Sequence, residues 1–426
     1  MTGPARARPA PVVLDDLEKP RFDAGTEALR AAMADMAPAC PLQAEAIVAA
    51  AVKQTGLSDL GDAGVVERLD ILCRALRHEA GLSRPGVVSW YSQLLQLVKN
   101  RLLIGDVLRR HPEIHDTEIV RPIIICGLPR TGTTHLHNLL SADPALRSLP
   151  YWESLEPVLA EAEKPGPDEP DPRRARTAFA LDVLNAALPH FVRMHEMTVD
   201  HVHEEIQLLA IDVSTMLFET PSLVPSWRDA YGARDQTPSY EYLRTVLKVL
   251  QFLRGGTRWV LKSPQHLEQF GPLLATFPDA TVVVTHRDPA AVTVSMATMV
   301  AYTARLHAAV VDPLAIGAYW QGRVEDLFRA CATDRALWPE AQSIDVRFDD
   351  LMADDLAMVR RIYDVAGQPF TDRSRRALAA FGAAHPRGRH GTVVYQPERL
   401  GIDPAERRRA LAFYSERFGV RSEAEG

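Results

Sequence analysis

Apolar residues recur at three- and four-residue spacing through Ala44–Thr55, Val65–Ala80 and Ser89–Arg110, which predicts helices across most of residues 26–110. The period changes at Arg121. Pro122-Ile123-Ile124-Ile125-Cys126 is a short apolar run closed by Gly127 and reads as a buried strand. Thr257–Leu261, Thr281–Thr285 and Ser343–Phe348 are the next strand candidates. Helical patterns lie between them, at His135–Ser141, Arg173–Leu188 and Glu204–Phe218, and a last one covers Asp403–Phe418. Strands separated by helices predict an α/β fold, a P-loop-type parallel sheet flanked by helices. The helical region, 1–118, precedes it, and its first ~20 residues are expected to be loosely ordered. Residues 119–426 form the α/β domain, with a helical insertion at about 173–255. The helices of 26–110 are either a subdomain of their own or a cover for the α/β domain.

Two segments carry candidate chemistry. Gly127-Leu128-Pro129-Arg130-Thr131-Gly132-Thr133-Thr134 joins the first strand to a helix. Glycines allow a tight turn with inward N–H groups, and the helix start adds its positive dipole end. The spacing matches a nucleotide P-loop, except that Thr133 stands where the lysine belongs. Arg130 supplies a cation elsewhere in the loop. The plain alternative is an ordinary strand-to-helix turn. The second segment is His286-Arg287-Asp288-Pro289, directly after the strand TVVVT. Asp288 can cap the next helix, and Arg287 falls at the carboxyl end of a parallel strand, where ligands of open sheets bind. Ser295 follows eight residues on, about two helical turns away. The alternative here is a structural Arg–Asp pair.

Charge narrows the partners. Lys plus Arg number 48 against 55 Asp plus Glu, a net charge of −7, which argues against a general nucleic-acid binder. No apolar run approaches the ~18 residues of a membrane span, and the basic start MTGPARARPAPVV has no apolar signal region. Cys40, Cys73, Cys126 and Cys331 are scattered, without metal-ligand spacing. A reducing cytoplasm is the expected location.

Two anion sites on one sheet suit a nucleotide with phosphates at both ends of its ribose. GLPRTGTT, WVLKSPQHL and VVVTHRDP with Ser295 together resemble the PAPS-dependent sulfotransferases, in particular the bacterial branch with PRTGTT loops. The resemblance implies that Arg130, Thr131, Gly132, Thr133 and Thr134 hold the 5′-phosphosulfate of the co-substrate. It implies that Arg287 and Ser295 hold the 3′-phosphate. It also makes the basic segment around Arg387, Gly388 and Arg389, ahead of Tyr395, a cover for that phosphate, within about 383–400.

The reaction so implied moves a sulfuryl group to a hydroxyl or amine of a small acceptor, without a metal. Arg130 and Lys262 are the candidate cations at the leaving oxygen. A general base of near-neutral pKa suits the acceptor proton. His266 is the first candidate, with His203 or Glu204 in its place, and Glu205 beside them. His201 and His203 would share one face of an extended segment, but no third metal ligand is evident beside them. Met216, Phe218, Trp227 and Tyr231 are candidates to line an apolar or aromatic acceptor's pocket, and the 26–110 helices are candidates to cover it. A P-loop phosphotransferase or nucleotide kinase, and a non-catalytic phosphoadenosine-binding protein, are the competing readings.

Overall fold

The computed structural model describes residues 9–62, 64–386 and 388–423. Its strands are β1 (Val12–Val13), β2 (Ile123–Cys126), β3 (Val260–Ser263), β4 (Thr281–His286), β5 (Ser343–Arg347) and β6 (Val393–Val394). The main sheet has the order β3-β2-β4-β5, all parallel. Ile123 pairs with Val260 and with Thr281, and Val282 with Ser343.

Alternate residues of these strands feed two cores, as expected of a parallel sheet covered on both faces. Ile123, Ile125, Val260, Val283 and Val346 pack against Leu136, Leu139 and Leu140 of helix Thr133–Ser141 and Val359 and Ile362 of helix Asp355–Ala366. Ile124, Cys126, Leu261, Val282 and Val284 face a larger core. That core also takes in Leu69, Leu72 and Leu76 of helix Gly64–His78, Trp90 and Leu94 of helix Arg84–Arg110, and Tyr240, Leu243 and Leu247 of helix Thr237–Arg254. The early helices thus share one core with the sheet and act as its cover.

Four expectations are corrected. The segment after residue 9 is not loose, because β1 pairs with β6 and Leu14 and Leu17 are buried; residues 1–8 lie outside the described residues. The strand expected over Thr257–Leu261 is β3, which starts at Val260, since Gly255 and Gly256 at φ 72° and 94° first end the preceding helix. This register puts Lys262 inside the strand. The helix expected over Glu204–Phe218 covers only Ile206–Ile211. Asp212 breaks it, because its buried carboxylate accepts from Arg68 (2.6 Å), Arg101 (2.7 Å) and Ser239 (2.6 Å), and these long-range bonds outweigh local propensity. The last helix is two, Pro404–Ala410 and Ala412–Phe418, hinged at the buried Leu411.

His307 locks the long helix Arg84–Arg110 to the body. A Cβ on Gly86 would lie 2.1 Å from the His307 carbonyl oxygen, and that oxygen accepts from Ser83 N (2.8 Å) and Ser83 Oγ (3.0 Å). Burial depresses the imidazole pKa from 6.5 to about 4. Between those values the unfolded chain binds a proton that the folded chain refuses, so stability rises with pH across the window and falls as acid is added. The melting temperature of His307→Asn, followed from pH 4 to pH 7, is expected to depend less steeply on pH than that of the parent. An unchanged slope would remove His307 from the acid sensitivity.

Candidate active site

The chain leaves β2 toward β3 on one side, and leaves β4 toward β5 on the other. A crevice therefore opens between the carboxyl ends of β2 and β4, the usual ligand position in such sheets. The loop 127–132 leaves β2 there, and Arg287 follows β4 there. Gly127 is required by contact: a Cβ would sit 1.9 Å from Thr285 Oγ1 and 2.8 Å from a Thr133 methyl. The Thr131 hydroxyl lies 2.7 Å from the Leu128 carbonyl oxygen and 2.6 Å from Thr285 Oγ1, and it is buried. It fixes the loop's shape rather than facing a ligand, which corrects its expected binding role. Arg130 takes the left-handed conformation (φ 75°), as does Gly132 (φ 90°), which opens helix Thr133–Ser141. Thr133 and Thr134 then face the crevice at the helix's first turn, where its positive dipole end lies.

The two expected anion sites touch. Arg287 Nη1 donates to the Arg130 carbonyl (2.7 Å), and Arg130 Nε donates to Ser295 Oγ (3.1 Å). Ser295 Oγ bonds Tyr395 OH at 2.7 Å, so the tail segment reaches the same point. Asp288 caps its helix as expected, accepting from Ala290 N at 2.9 Å. The Arg287 guanidinium lies 4.2 Å over the Phe348 ring and is gripped by the Glu423 carboxylate, Nε at 2.5 Å and Nη2 at 2.8 Å. Glu423 is itself held, its N–H to Asp288 (2.8 Å) and its carbonyl to Arg408 (3.0 Å). Gly388 and Arg389 line the crevice, and Arg389 pairs with Glu196; Arg387 lies outside the described residues.

Lys262 lies within β3, one residue before its end, with its ammonium paired to Glu204. The next residue, Glu205, points elsewhere. It is fully buried, accepts the Lys262 backbone N–H (2.7 Å) and bonds His266 Nε2 (2.7 Å). His266 Nδ1 meets Tyr240 OH at 2.8 Å. With both nitrogens engaged and no exposure, His266 has no path to an acceptor, so the expected base is instead a buried residue that positions Glu205 and Lys262. Glu204 keeps some exposure, 16% of its side chain.

The cleft holds about 670 Å³ and is lined by Arg130, Thr134, Arg287 and Arg389, and by His195 and His201. Desolvation lowers the pKa of His201 to about 4 and holds His195 and His203 well below the usual imidazole value. Lys262 contributes to all three depressions, so its charge is felt across the cleft wall. His195 was missed in the sequence; the signal available was the density of histidines, at 195, 201 and 203. Met216, Phe218, Trp227 and Tyr231 do not line the cleft. They are buried in the larger core, with Phe218 and Trp227 edge to face at 5.6 Å. No residue of 26–110 reaches the lining among the described residues.

The family model of the sulfotransferase family matches residues 122–372, which hold β2 to β5, Arg130, Lys262 and Arg287. The chain belongs to the sulfotransferase family. It is similar to the omega-hydroxy-beta-dihydromenaquinone-9 sulfotransferases Stf3 of Mycobacterium bovis and Mycobacterium tuberculosis, 26% identical over 275 residues, 61% of this chain. That match spans 66% of those relatives' own length. Among solved structures it is similar to sulfotransferase STF1 of Mycobacterium tuberculosis, at 30% identity and a TM-score of 0.77, over 88% of this chain and 99% of that one. STF9 of Mycobacterium avium shares the fold, at 24% identity and a TM-score of 0.78, over 90% and 98% of the two chains. The parallel sheet flanked by helices is therefore the family's fold, and this is a sulfotransferase-family enzyme.

Gly127→Ala in this sulfotransferase-family chain is expected to cost about 1–3 kcal/mol in urea unfolding, the range for overpacking. Gly271→Ala, where nothing lies within 4 Å of the added carbon, is expected to leave stability equal or higher. Equal stabilities for the two variants would contradict the close approach of loop and strand.

Proposed function

We propose that the chain transfers a sulfuryl group from PAPS to a hydroxyl of a small acceptor with an apolar or aromatic body. The observation that carries this reading is the meeting of two cation-bearing anion sites at one crevice, with Arg287 2.7 Å from the Arg130 carbonyl and Arg130 3.1 Å from Ser295. One nucleotide with charge at both ends of a ribose fits that pairing. The 5′ end takes Arg130, Gly132, Thr133, Thr134 and the helix N–H groups, and the 3′-phosphate takes Arg287 and Ser295 under the segment of Gly388 and Arg389. A nucleoside triphosphate fits less well, because Thr133 stands in place of the P-loop lysine that reaches the β- and γ-phosphates.

In the transfer, the acceptor oxygen bonds to sulfur as the bond from sulfur to the phosphate oxygen breaks. The acceptor's proton goes to a base, and 3′-phosphoadenosine 5′-phosphate leaves. Arg130 and Lys262 stabilise the charge that grows on the leaving oxygen. We assign the base to Glu204. Among the described residues it is the carboxylate that pairs with Lys262, and it retains exposure, so a hydroxyl bound to it lies beside the lysine. Glu205 and His266, buried behind, fix the strand position of Lys262. The acceptor class is supported by Val192, Met194, Val202 and Phe381 in the lining, and by the relatives named for an omega-hydroxy menaquinone.

Incubation with sulfur-labelled PAPS and a panel of apolar alcohols is expected to yield labelled sulfate esters; label retained on the nucleotide with every alcohol, amine and sugar offered would contradict transfer. Glu204→Gln is expected to lower kcat by ~10²–10⁴ while the affinity for 3′-phosphoadenosine 5′-phosphate stays close to that of the parent. Turnover unchanged in that variant would take the base elsewhere. Because Glu423 holds Arg287, a 3′-phosphate must replace a carboxylate there. Glu423→Gln is expected to tighten bisphosphate binding by up to about fivefold, the worth of a part-exposed ion pair, with AMP binding unchanged. Equal effects on both ligands would separate Arg287 from the 3′-phosphate.

A further inference from the structure

We propose that His195, His201 and His203 form a three-imidazole site for a divalent transition-metal ion of the zinc class. One ring nitrogen from each lies within 4.8 Å of the other two. Tetrahedral ligation at ~2.0–2.1 Å draws the three nitrogens closer together than this.

The backbone builds this cluster. Pro150 and Val202 form an antiparallel bridge, Tyr151 N donates to the His201 carbonyl (2.8 Å), and His203 N donates to the Leu149 carbonyl (2.7 Å). Residues 201 and 203 thus sit on one side of an extended segment. His195 arrives from the turn after Phe191–Arg193, its N–H bonded to the Phe191 carbonyl at 2.8 Å. The rings of His195 and His201 stand edge to face at 5.3 Å, and Tyr151 packs on His203 at 4.6 Å.

The chemistry of these rings differs from that of the other buried histidines. His137, His266, His286 and His307 each place a ring nitrogen within hydrogen-bond distance of a protein group. Among the described residues no such bond is found for His195, His201 or His203, and His203 Nδ1, in a residue 8% exposed, has no partner. His137 and His307 also leave Nδ1 without a partner, but each bonds through Nε2, whereas no bond is found for either nitrogen of His203; such a ring points to a ligand. Lys262 acts on all three rings and Arg130 on His195, and the Lys262 ammonium is paired to Glu204. His195 and His201 line the cleft, so the fourth position faces it. Three protein ligands and one open position is the pattern of catalytic rather than structural zinc sites. An oxygen ligand would come from the cleft.

The test is a titration of the full chain, stripped with a chelator, with Co²⁺ as the probe. The readout is the visible absorption of tetrahedral Co²⁺, which is independent of the nucleotide and therefore of the function proposed above. One equivalent is expected to bind, and Zn²⁺ is expected to displace it. His201→Ala and His203→Ala should each weaken binding by more than the ~10–100-fold that loss of an outer-shell partner costs. His78→Ala, exposed at the end of helix Gly64–His78, should bind as the parent does. Circular dichroism checks the fold of each variant, and His195→Ala, at a part-exposed position, serves if the buried substitution unfolds the chain. No saturable Co²⁺ spectrum, or a spectrum that all three substitutions leave intact, would overturn the site.

Discussion

A side chain at position 127 would strike the Thr285 hydroxyl at 1.9 Å, and that contact ties the first loop to the neighbouring strand. The Thr131 hydroxyl, 2.6 Å from the same oxygen, completes the tie. The rest of the site depends on it. With the loop pressed against β4, the Arg130 carbonyl falls within reach of Arg287, and the Arg130 guanidinium within reach of Ser295. Two anion sites remote in sequence become one crevice. The left-handed backbone at Arg130, φ 75°, is the strained point of the arrangement, of the kind held in place by surrounding structure at functional sites.

A second constraint works behind the first. Lys262 is carried on a buried strand, and a buried ammonium needs a partner. Adjacent glutamates divide the task. Glu204 pairs with the ammonium and keeps some exposure, while Glu205 points inward, holding the Lys262 backbone and His266. Tyr240 closes the chain of bonds from helix Thr237–Arg254. The position of the cation is thus fixed from the core. A substitution at His266 would act on the site through Glu205 and not by loss of a proton acceptor.

Much of the fold was legible because its signals are local. Apolar runs at 122–126 and 281–285 announce strands buried on both faces, and glycine with hydroxyl residues after the first announces the loop. What failed depended on distant partners. Nothing near Asp212 in sequence shows that Arg68, Arg101 and Ser239 will converge on it and break a helix. Glu204 and Glu205 look alike in sequence, yet one pairs with the Lys262 ammonium and keeps some exposure while the other is buried in the core. The burial of His266 follows from Glu205 and Tyr240, 61 and 26 residues away. The aromatic residues at 216–231 read as a pocket by composition but satisfy the core under helix Arg84–Arg110.

If one crevice reads both ends of a phosphorylated nucleoside, the 3′-phosphate must carry much of the binding energy. Calorimetric titration of the protein with 3′-phosphoadenosine 5′-phosphate, against AMP and ATP, addresses this directly. Tight binding of the bisphosphate and weak binding of AMP are expected, the difference arising at Arg287 and Ser295. Equal affinity for AMP and the bisphosphate, or a clear preference for ATP, would contradict the shared crevice.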